Sequence, residues 1–474
     1  MKKILLLMTS VVLLGSCNDD YLAIGKEDVL PTENFFQTSD DAVASVNAIY
    51  SNLRAWRLAA FAPMILSIST DDADKGSSTG DASFFTDIDL FTYTPSAFII
   101  NDYWSGQWFG INLTNQSITN IPGITMDEAL KTRLIAEARF LRAHHYFNLV
   151  RTFGGVPIFD GLPSDKNYNK PRNTVQEVYD FIQADLQFAA ENLPTSYGAT
   201  DKGRATAGAA KAFLAKTYMY QENWAQTLAL TNEVMGMGYD LLPDYNSVFR
   251  IANENSIESV FEVQATFVSG NCDLSNSQYS QTRGVRGQYG WGFDVPSDNL
   301  AASYEVGDLR RDATIIFRGE TTPEGDFIQP DGDNPRYSQK SYVPSSQIGA
   351  GCSEGSEQNI RVMRFAEVLL MNAEAANETG NTTQALASLN RVRNRAGLPD
   401  FVSADQLAIK NAIWRERRSE LAMEGDRFWD VVRQGRGAEV FGPKGFVAGK
   451  NELFPIPQES ITLSNNVLVQ NPNY

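Results

Sequence analysis

The sequence predicts a mostly α-helical fold. Tetratricopeptide-like helix pairs form the scaffold, with long loop-rich inserts and a few short strands between them. Three observations support this class. Apolar residues recur every three or four positions along both flanks of the chain. Small residues recur at helix-pair spacing in two places. The stretch 253–358 is instead rich in Gly, Ser, Asn, Asp and Pro.

The first element is an export leader. Two lysines precede an apolar-biased run over 4–14, which is the order of a secretory signal. That run cannot span a bilayer, which needs roughly 20 residues. The small residues end at Cys17, and the segment 14–17 (LGSC) resembles a bacterial lipoprotein box. The resemblance implies a signal peptide over 1–16 and lipid attachment at Cys17; an ordinary signal peptide with an unrelated cysteine is the alternative.

The N-terminal region, 17–252, contains most of the scaffold. Apolar spacing, small residues and Gly or Pro stops predict its helices over 127–150, 174–192, 205–220 and 224–235. A loop-like insert near 71–101 interrupts the region before the first of these helices.

The C-terminal region, 253–474, begins with a strand-like segment over 259–268, which opens the loop-rich insert 253–358. A helical part follows over 359–436, where one helix ends at Gly380 and its partner covers 383–395. Loops as long as these inserts usually carry function when a rigid scaffold holds them.

Composition narrows the classes of function. A net charge of −17 argues against nucleic acid and against charge-driven adsorption to anionic lipid. The chain has two histidines, His144 and His145, which are adjacent in one helix and therefore point in different directions. His145 lies on the apolar stripe and is predicted to be a core residue. No zinc, phosphate-loop or nucleophile-elbow motif occurs, so histidine-based catalysis is poorly supported.

Two questions stay open at the level of sequence. Asp72 and Asp74 have the alternate spacing of a calcium loop, but glycine and serine stand at its fifth and twelfth positions. A solvated acidic turn without metal is therefore the preferred interpretation. Cys272 and Cys352 lie in polar stretches of an exported chain, and sequence does not show whether they form a disulfide.

Several segments resemble the SusD/RagB family of Bacteroidetes outer-membrane lipoproteins. The most characteristic are "AEARFLRAHHYFNLVRTFGGVPIF" and "ERRSELAMEGDRFWDVVRQGRG". The resemblance runs in family order from the lipoprotein box to the last residue. The matching segments cover 136–159, 203–227, 290–315, 362–381, 416–437 and 452–474.

This resemblance implies a function. Family members lie on the outer face of the outer membrane, cap a TonB-dependent barrel transporter, and capture glycans or other nutrients for import. The expected partners are thus a glycan, a SusC-like barrel and the membrane; no cofactor and no catalysis are expected. Two alternatives stay open: a structural lid with little ligand binding of its own, and a glycoside hydrolase, since 57 acidic residues make a carboxylate pair easy to assemble.

Candidate ligand-binding residues lie in both inserts. Trp291 and Tyr289 occupy the Gly-rich part of the second insert, and Phe85 lies in the first, where flat rings could cover the apolar face of a sugar. In several family members an Asp of the early loop contacts sugar, which implies this role for Asp71 or Asp72. The alternative for each ring is packing within its insert. Trp104 and Trp108 are predicted core residues, and the charged segment 415–430 is predicted to be a structural ion network.

Overall fold

The computed structural model describes residues 35–163, 168–266, 278–348 and 356–474. The signal peptide, Cys17, Cys272 and Cys352 lie outside these ranges, so lipid attachment and the disulfide stay predictions. Among the helices of the described ranges, none combines the length and the apolar character that crossing a membrane requires. The described residues are mostly helical, which confirms the predicted fold class.

Eight α-helices of the described residues precede the second insert. They are α1 (Ser39–Asn52), α2 (Ile65–Ile68), α3 (Phe84–Asp89), α4 (Phe98–Asn120), α5 (Glu128–Phe153), α6 (Val175–Asn192), α7 (Ala207–Tyr220) and α8 (Trp224–Met235). The predicted helices correspond to α5–α8 within three residues at each end. Side-chain caps and glycines set these limits: Thr174 forms a capping box with Glu177 at the start of α6, and Gly154 ends α5 with a φ of 77°.

Nine further α-helices lie in the described part of the C-terminal region. They are α9 (Tyr279–Arg283), α10 (Asp298–Ser303), α11 (Arg310–Thr314), α12 (Phe365–Glu378), α13 (Thr382–Arg395), α14 (Gln406–Leu421), α15 (Arg427–Arg433), α16 (Gly437–Phe441) and α17 (Gln458–Leu463). The predicted pair around Gly380 is α12 and α13. Only short helices occur in the described parts of the second insert, in agreement with its lack of periodicity.

The scaffold is continuous across the second insert. Helices α4 to α8 pack in succession, and α8 then packs directly on α12, which in turn contacts α13 and α14. The two helix pairs predicted from small residues, α7–α8 and α12–α13, are therefore neighbours in space. Such stacking lets each pair bury its apolar face against the next. The inserts extend from this stack without interrupting it.

Glycine permits a close approach between α4 and α5 at Gly110. A Cβ atom on Gly110 would lie 2.1 Å from Nε2 of His145, which is far inside van der Waals contact. His145 is fully buried, and its Nδ1 lies 2.8 Å from Oε1 of Gln107. Burial lowers the pKa of His145 to about 3, so its ring stays neutral in the folded protein. These observations confirm its predicted core role.

Six short strands occur in the described residues. They are β1 (Ala73–Gly76), β2 (Ser259–Val263), β3 (Phe293–Pro296), β4 (Ile315–Phe317), β5 (Arg336–Ser338) and β6 (Ile360–Arg364). They form the antiparallel pairs β1–β3, β2–β6 and β4–β5. Strand β2 forms the first half of the strand predicted over 259–268 and is shorter than expected, because residues 264–266 are not in a strand. The pair β1–β3 joins the first insert to the second. The sequence analysis predicted both inserts but not this contact between them.

Candidate functional site

The β1–β3 pair brings aromatic residues of both inserts into one cluster. The ring of Trp291 lies 6.2 Å from that of Trp56 and 6.5 Å from that of Phe61. The ring of Phe84 lies 5.8 Å from Phe61 and 4.5 Å from Phe98. Phe61 is buried, whereas Trp56, Phe84 and Trp291 are partly buried and Phe98 is 53% exposed. The cluster therefore presents aromatic surface to solvent above a packed base. Its members that are at least partly accessible, Trp56, Phe84, Phe98 and Trp291, are called the aromatic site below.

A group of polar side chains adjoins Trp291 and is centred on Arg286. The Arg286 guanidinium donates to the backbone oxygen of Trp291 at 3.0 Å. It also forms ion pairs at 3.0 Å with Asp81, from the first insert, and with Asp333, from the second. The carboxylates of Asp81 and Asp333 are 41% and 55% exposed, so both have oxygens accessible to a ligand. Aromatic surface and charged hydrogen-bond acceptors thus lie side by side.

The electrostatics of this polar group keep Asp81 ionised. A hydrogen bond of 2.7 Å from the Ser77 hydroxyl lowers the pKa of Asp81; burial opposes this effect and Arg286 adds to it. The net result is a pKa below the usual value. A general acid in glycoside hydrolysis needs the opposite shift. Asp81 is therefore suited to accepting hydrogen bonds and poorly suited to donating a proton.

Two glycines allow the inserts to approach at the end of the β1–β3 pair. Gly76 and Gly292 have φ values of 70° and 72°. A Cβ on Gly76 would lie 2.4 Å from the backbone oxygen of Gly292, and one on Gly292 would lie 2.8 Å from Nδ2 of Asn334. Both the backbone conformation and the available space therefore require glycine. Trp291 directly precedes Gly292, so this close approach of the two inserts fixes the position of the Trp291 backbone.

The structure separates the two aromatic residues predicted in the second insert. Trp291 belongs to the aromatic site. The ring of Tyr289 instead packs 6.1 Å from Tyr342, in a small cluster with Val285 and Tyr337. Burial, together with the nearby charge of Asp326, raises the pKa of Tyr289. Tyr289 thus supports the fold of the insert beside the site and does not share the surface of Trp291.

Burial contradicts the predicted ligand roles of Phe85 and Asp72, whereas Asp71 is partly buried and paired, and its ligand role stays a prediction. Phe85 is fully buried beneath the aromatic site, with its ring 4.7 Å from Phe61, and its ring is not accessible to a ligand. Asp72 is 1% exposed and accepts a hydrogen bond of 2.7 Å from Arg418. Asp71 accepts two bonds of 2.9 Å from Arg427, one on each carboxylate oxygen.

These acidic residues attach the first insert to the charged helices near the C-terminus. Burial raises the pKa of Asp71, but the hydrogen bonds and charge of Arg427 outweigh burial, with help from Arg418, and the net pKa lies below the usual value. Their partners belong to the segment 415–430, so the prediction that this segment forms a structural ion network is confirmed. In the described part of the chain, no group of three or more His, Cys, Asp or Glu residues could hold a metal ion.

Sequence reasoning missed Trp56, Phe98 and Arg286. Trp56 begins a π-helical turn, Trp56–Ala60, outside both predicted inserts. Phe98 stands at the start of a long helix and resembles a core residue in sequence. Arg286 carries no signal on its own, because its partners come from distant segments. Of these residues, only Trp56 has a local signal, since a tryptophan followed by an arginine, as at positions 56 and 57, could have indicated a ligand-binding residue.

A second concave region lies along α4, beyond the aromatic site. It has a volume of about 520 Å³, and its lining includes Trp104, Trp108, Phe109, Phe159 and Tyr168. Trp104 is buried, as predicted. Trp108 is only partly buried and contributes to this groove, which corrects its prediction as a simple core residue. Both tryptophans lie within α4.

Comparisons with known proteins assign the family. A model described as "SusD family" matches residues 328–474, and one described as "Starch-binding associating with outer membrane" matches 28–219. The SusD-like protein P2 of Formosa agariphila is 30% identical over 100% of this chain and 99% of its own length. The chain therefore belongs to the SusD family.

Other relatives agree with this assignment. The starch-binding protein SusD of Bacteroides thetaiotaomicron is 28% identical over 77% of this chain and 77% of its own. A solved structure of a laminarin-binding SusD-like protein superimposes with a TM-score of 0.82 at 32% identity, covering 92% of this chain and 100% of that one.

Proposed function

We propose that this protein captures glycan at the cell surface and delivers it to a TonB-dependent outer-membrane transporter, without cleaving it. The observation that carries the proposal is the aromatic site beside the Arg286 group. A pyranose has an apolar face of C–H groups and a rim of hydroxyls, and this site offers a complement to each. The laminarin-binding and starch-binding relatives support glycan as the class of ligand.

The site suits reversible capture. Covering ~80 Å² of ring surface contributes about 2 kcal/mol per ring, at about 25 cal/mol per Å². With two or three rings, and after the cost of ordering the ligand, affinities fall in the broad micromolar to millimolar range. Such affinities allow release to a transporter. In this proposal Cys17 carries lipid and holds the protein at the outer membrane beside that transporter.

The first test measures glycan retention. We expect affinity electrophoresis across a polysaccharide panel, with laminarin and starch included, to show retardation of the wild-type protein. Trp291→Ala should weaken binding about tenfold, which corresponds to about 1.4 kcal/mol. Trp224→Ala is the matched control, because this tryptophan is also partly buried but belongs to scaffold helix α8. Its retention should equal that of the wild type.

Two outcomes would favour other functions. Equal mobility of the wild type with and without every polysaccharide would favour a structural lid that binds little ligand. Release of reducing ends during incubation of purified protein with the retained polysaccharide would favour a glycoside hydrolase. Co-purification of a barrel transporter with the membrane-extracted protein tests the delivery step. If no transporter co-purifies, the proposed delivery is contradicted, while the proposed glycan capture still stands.

A further inference from the structure

Helix α4 carries an exposed stripe that starts at the aromatic site. Phe98, Asp102, Ser105 and Phe109 are spaced by four, three and four residues, so they share one face of the helix. Phe98 and Phe109 are 53% and 55% exposed, and the other two are partly buried. At 1.5 Å per residue, the stripe extends about 16 Å, which is the length of several linked sugars.

The far end of the stripe reaches the groove of about 520 Å³. Phe109 lines this groove together with Tyr168, which is 53% exposed and whose ring lies 5.6 Å from Phe159. Asn112 and Ser460 add polar groups to the lining. Large aromatic residues that stay half exposed around a groove mark a binding surface more strongly than scattered apolar residues do.

The near end of the stripe is continuous with the aromatic site. The Phe98 ring lies 4.5 Å from Phe84. Arg57, which follows Trp56 in the chain, forms an ion pair of 3.2 Å with Asp102 on the stripe and also lines the groove. One path of aromatic rings and charged hydrogen-bonding groups therefore leads from Trp291 to Tyr168.

We infer that the stripe and groove bind further sugars of the same glycan chain that occupies the aromatic site, so that the ligand is a polymer and not a small oligosaccharide. This inference rests on the proposed function. Phe109 and Tyr168 would cover apolar sugar faces, while Arg57, Asp102 and Asn112 would bond to hydroxyls. Phe98 of the aromatic site and Phe109 of the groove lie on one face of α4, so a single glycan chain can contact both regions. Each added sugar then contributes to affinity without a second association cost.

The test measures affinity against chain length by calorimetry. The probes are β-1,3-linked glucose oligosaccharides from the disaccharide to the hexasaccharide, or the corresponding series from whichever polysaccharide the panel retains. The double variant Phe109→Ala/Tyr168→Ala should bind the shortest ligands as the wild type does and lose about tenfold in affinity for the longest. Val402→Ala/Leu407→Ala is the control pair, since both residues are exposed and neither lines the groove.

The outcomes separate this inference from the proposed function. Trp291→Ala could weaken the affinity for every oligosaccharide while the double variant shows the same increase of affinity with chain length as the wild type. In that case the groove does not bind glycan, and only this inference fails. The inference fails equally if the double variant loses a protein partner but no glycan affinity. If the wild type binds no glycan of any length, both proposals fail. Circular dichroism of the double variant, whose mutated side chains are half exposed, checks that it is folded.

Discussion

At the scale of single residues, Trp291 is held in place by its own backbone. Its N–H donates to the oxygen of Gln281 at 2.8 Å, and its carbonyl accepts from Arg286 at 3.0 Å. A backbone fixed in this way loses little conformational freedom when ligand binds, and a smaller ordering cost leaves more of the contact energy as affinity. Arg286 thus acts on the site through Trp291 and through the two aspartates that it positions.

We therefore expect Arg286→Ala to weaken glycan binding about tenfold, although most of the ring surface stays in place. The loss arises because Asp81, Asp333 and the Trp291 carbonyl lose their shared partner. Arg311→Ala is the control, since Arg311 lies in the same insert, is half exposed and pairs with its neighbour Asp312 at 2.8 Å, not with a residue of the Arg286 group. Isothermal titration of the two variants measures the difference. Equal affinities would show that Arg286 has no positioning role.

At the scale of elements, the β1–β3 pair is the junction on which the site depends. Its register places Asp74 opposite Val295 and Gly76 opposite Phe293, so the two inserts meet next to Trp291. Four-residue strands have little stability alone. The two strands are stabilised by the surrounding aromatic packing and by the ion pairs of Asp71 and Asp72 with Arg418 and Arg427.

Gly76→Ala should disrupt this junction. The new methyl group would lie 2.4 Å from the Gly292 oxygen, at a φ of 70° that disfavours alanine. We expect a loss of about 1–3 kcal/mol in the free energy of unfolding and a clear loss of glycan affinity. Gly80→Ala is a close control, because this loop glycine has open space around its Cβ position. Urea unfolding and glycan titration compare the two, and equal stability would contradict the role of the junction.

The elements also show what the sequence could and could not predict. Helices α5 to α8 follow from apolar spacing and from stops such as Gly154, which are local signals. The pairing of β1 with β3 does not, because each strand is too short to show a period. Likewise, the sequence could not show that Asp72 is buried and paired, because its partner, Arg418, lies 346 residues away in the chain. Trp291 was found because a Gly-rich loop offers a tryptophan little cover, whereas Trp56 gave no comparable signal.

At the scale of the whole molecule, a buried ion network joins the second insert to the scaffold. Arg364 of β6 contacts Glu258, Glu420 and Glu424 at 2.7–2.8 Å. Arg310, from the insert, pairs with Glu420 at 3.2 Å. Buried charges are costly unless they are fully paired, so removing one partner is expected to cost about 3–5 kcal/mol. Insert and scaffold should therefore unfold together.

This network makes stability depend on pH in a defined direction. Burial raises the pKa of Glu420, but Arg395, Arg364 and Arg310 outweigh burial, and the net pKa lies well below the usual value. The pKa of Glu424 is lowered in the same way by Arg364 and Lys340. Such carboxylates bind protons more weakly in the folded than in the unfolded protein. Their stabilisation is present above the unfolded pKa, about 4.3 for Glu, and is lost as pH falls through the folded values.

We therefore expect the free energy of unfolding to fall as the pH is lowered below about 5, and Glu420→Gln to make that fall shallower. The variant should also be less stable at neutral pH by about 3–5 kcal/mol, because three buried arginines lose a charged partner. Urea unfolding at stepped pH measures both effects. Glu128→Gln, at a side chain that is 79% exposed, should keep the wild-type slope. A Glu420→Gln slope as steep as that of the wild type would show that other carboxylates, outside this network, control unfolding in acid.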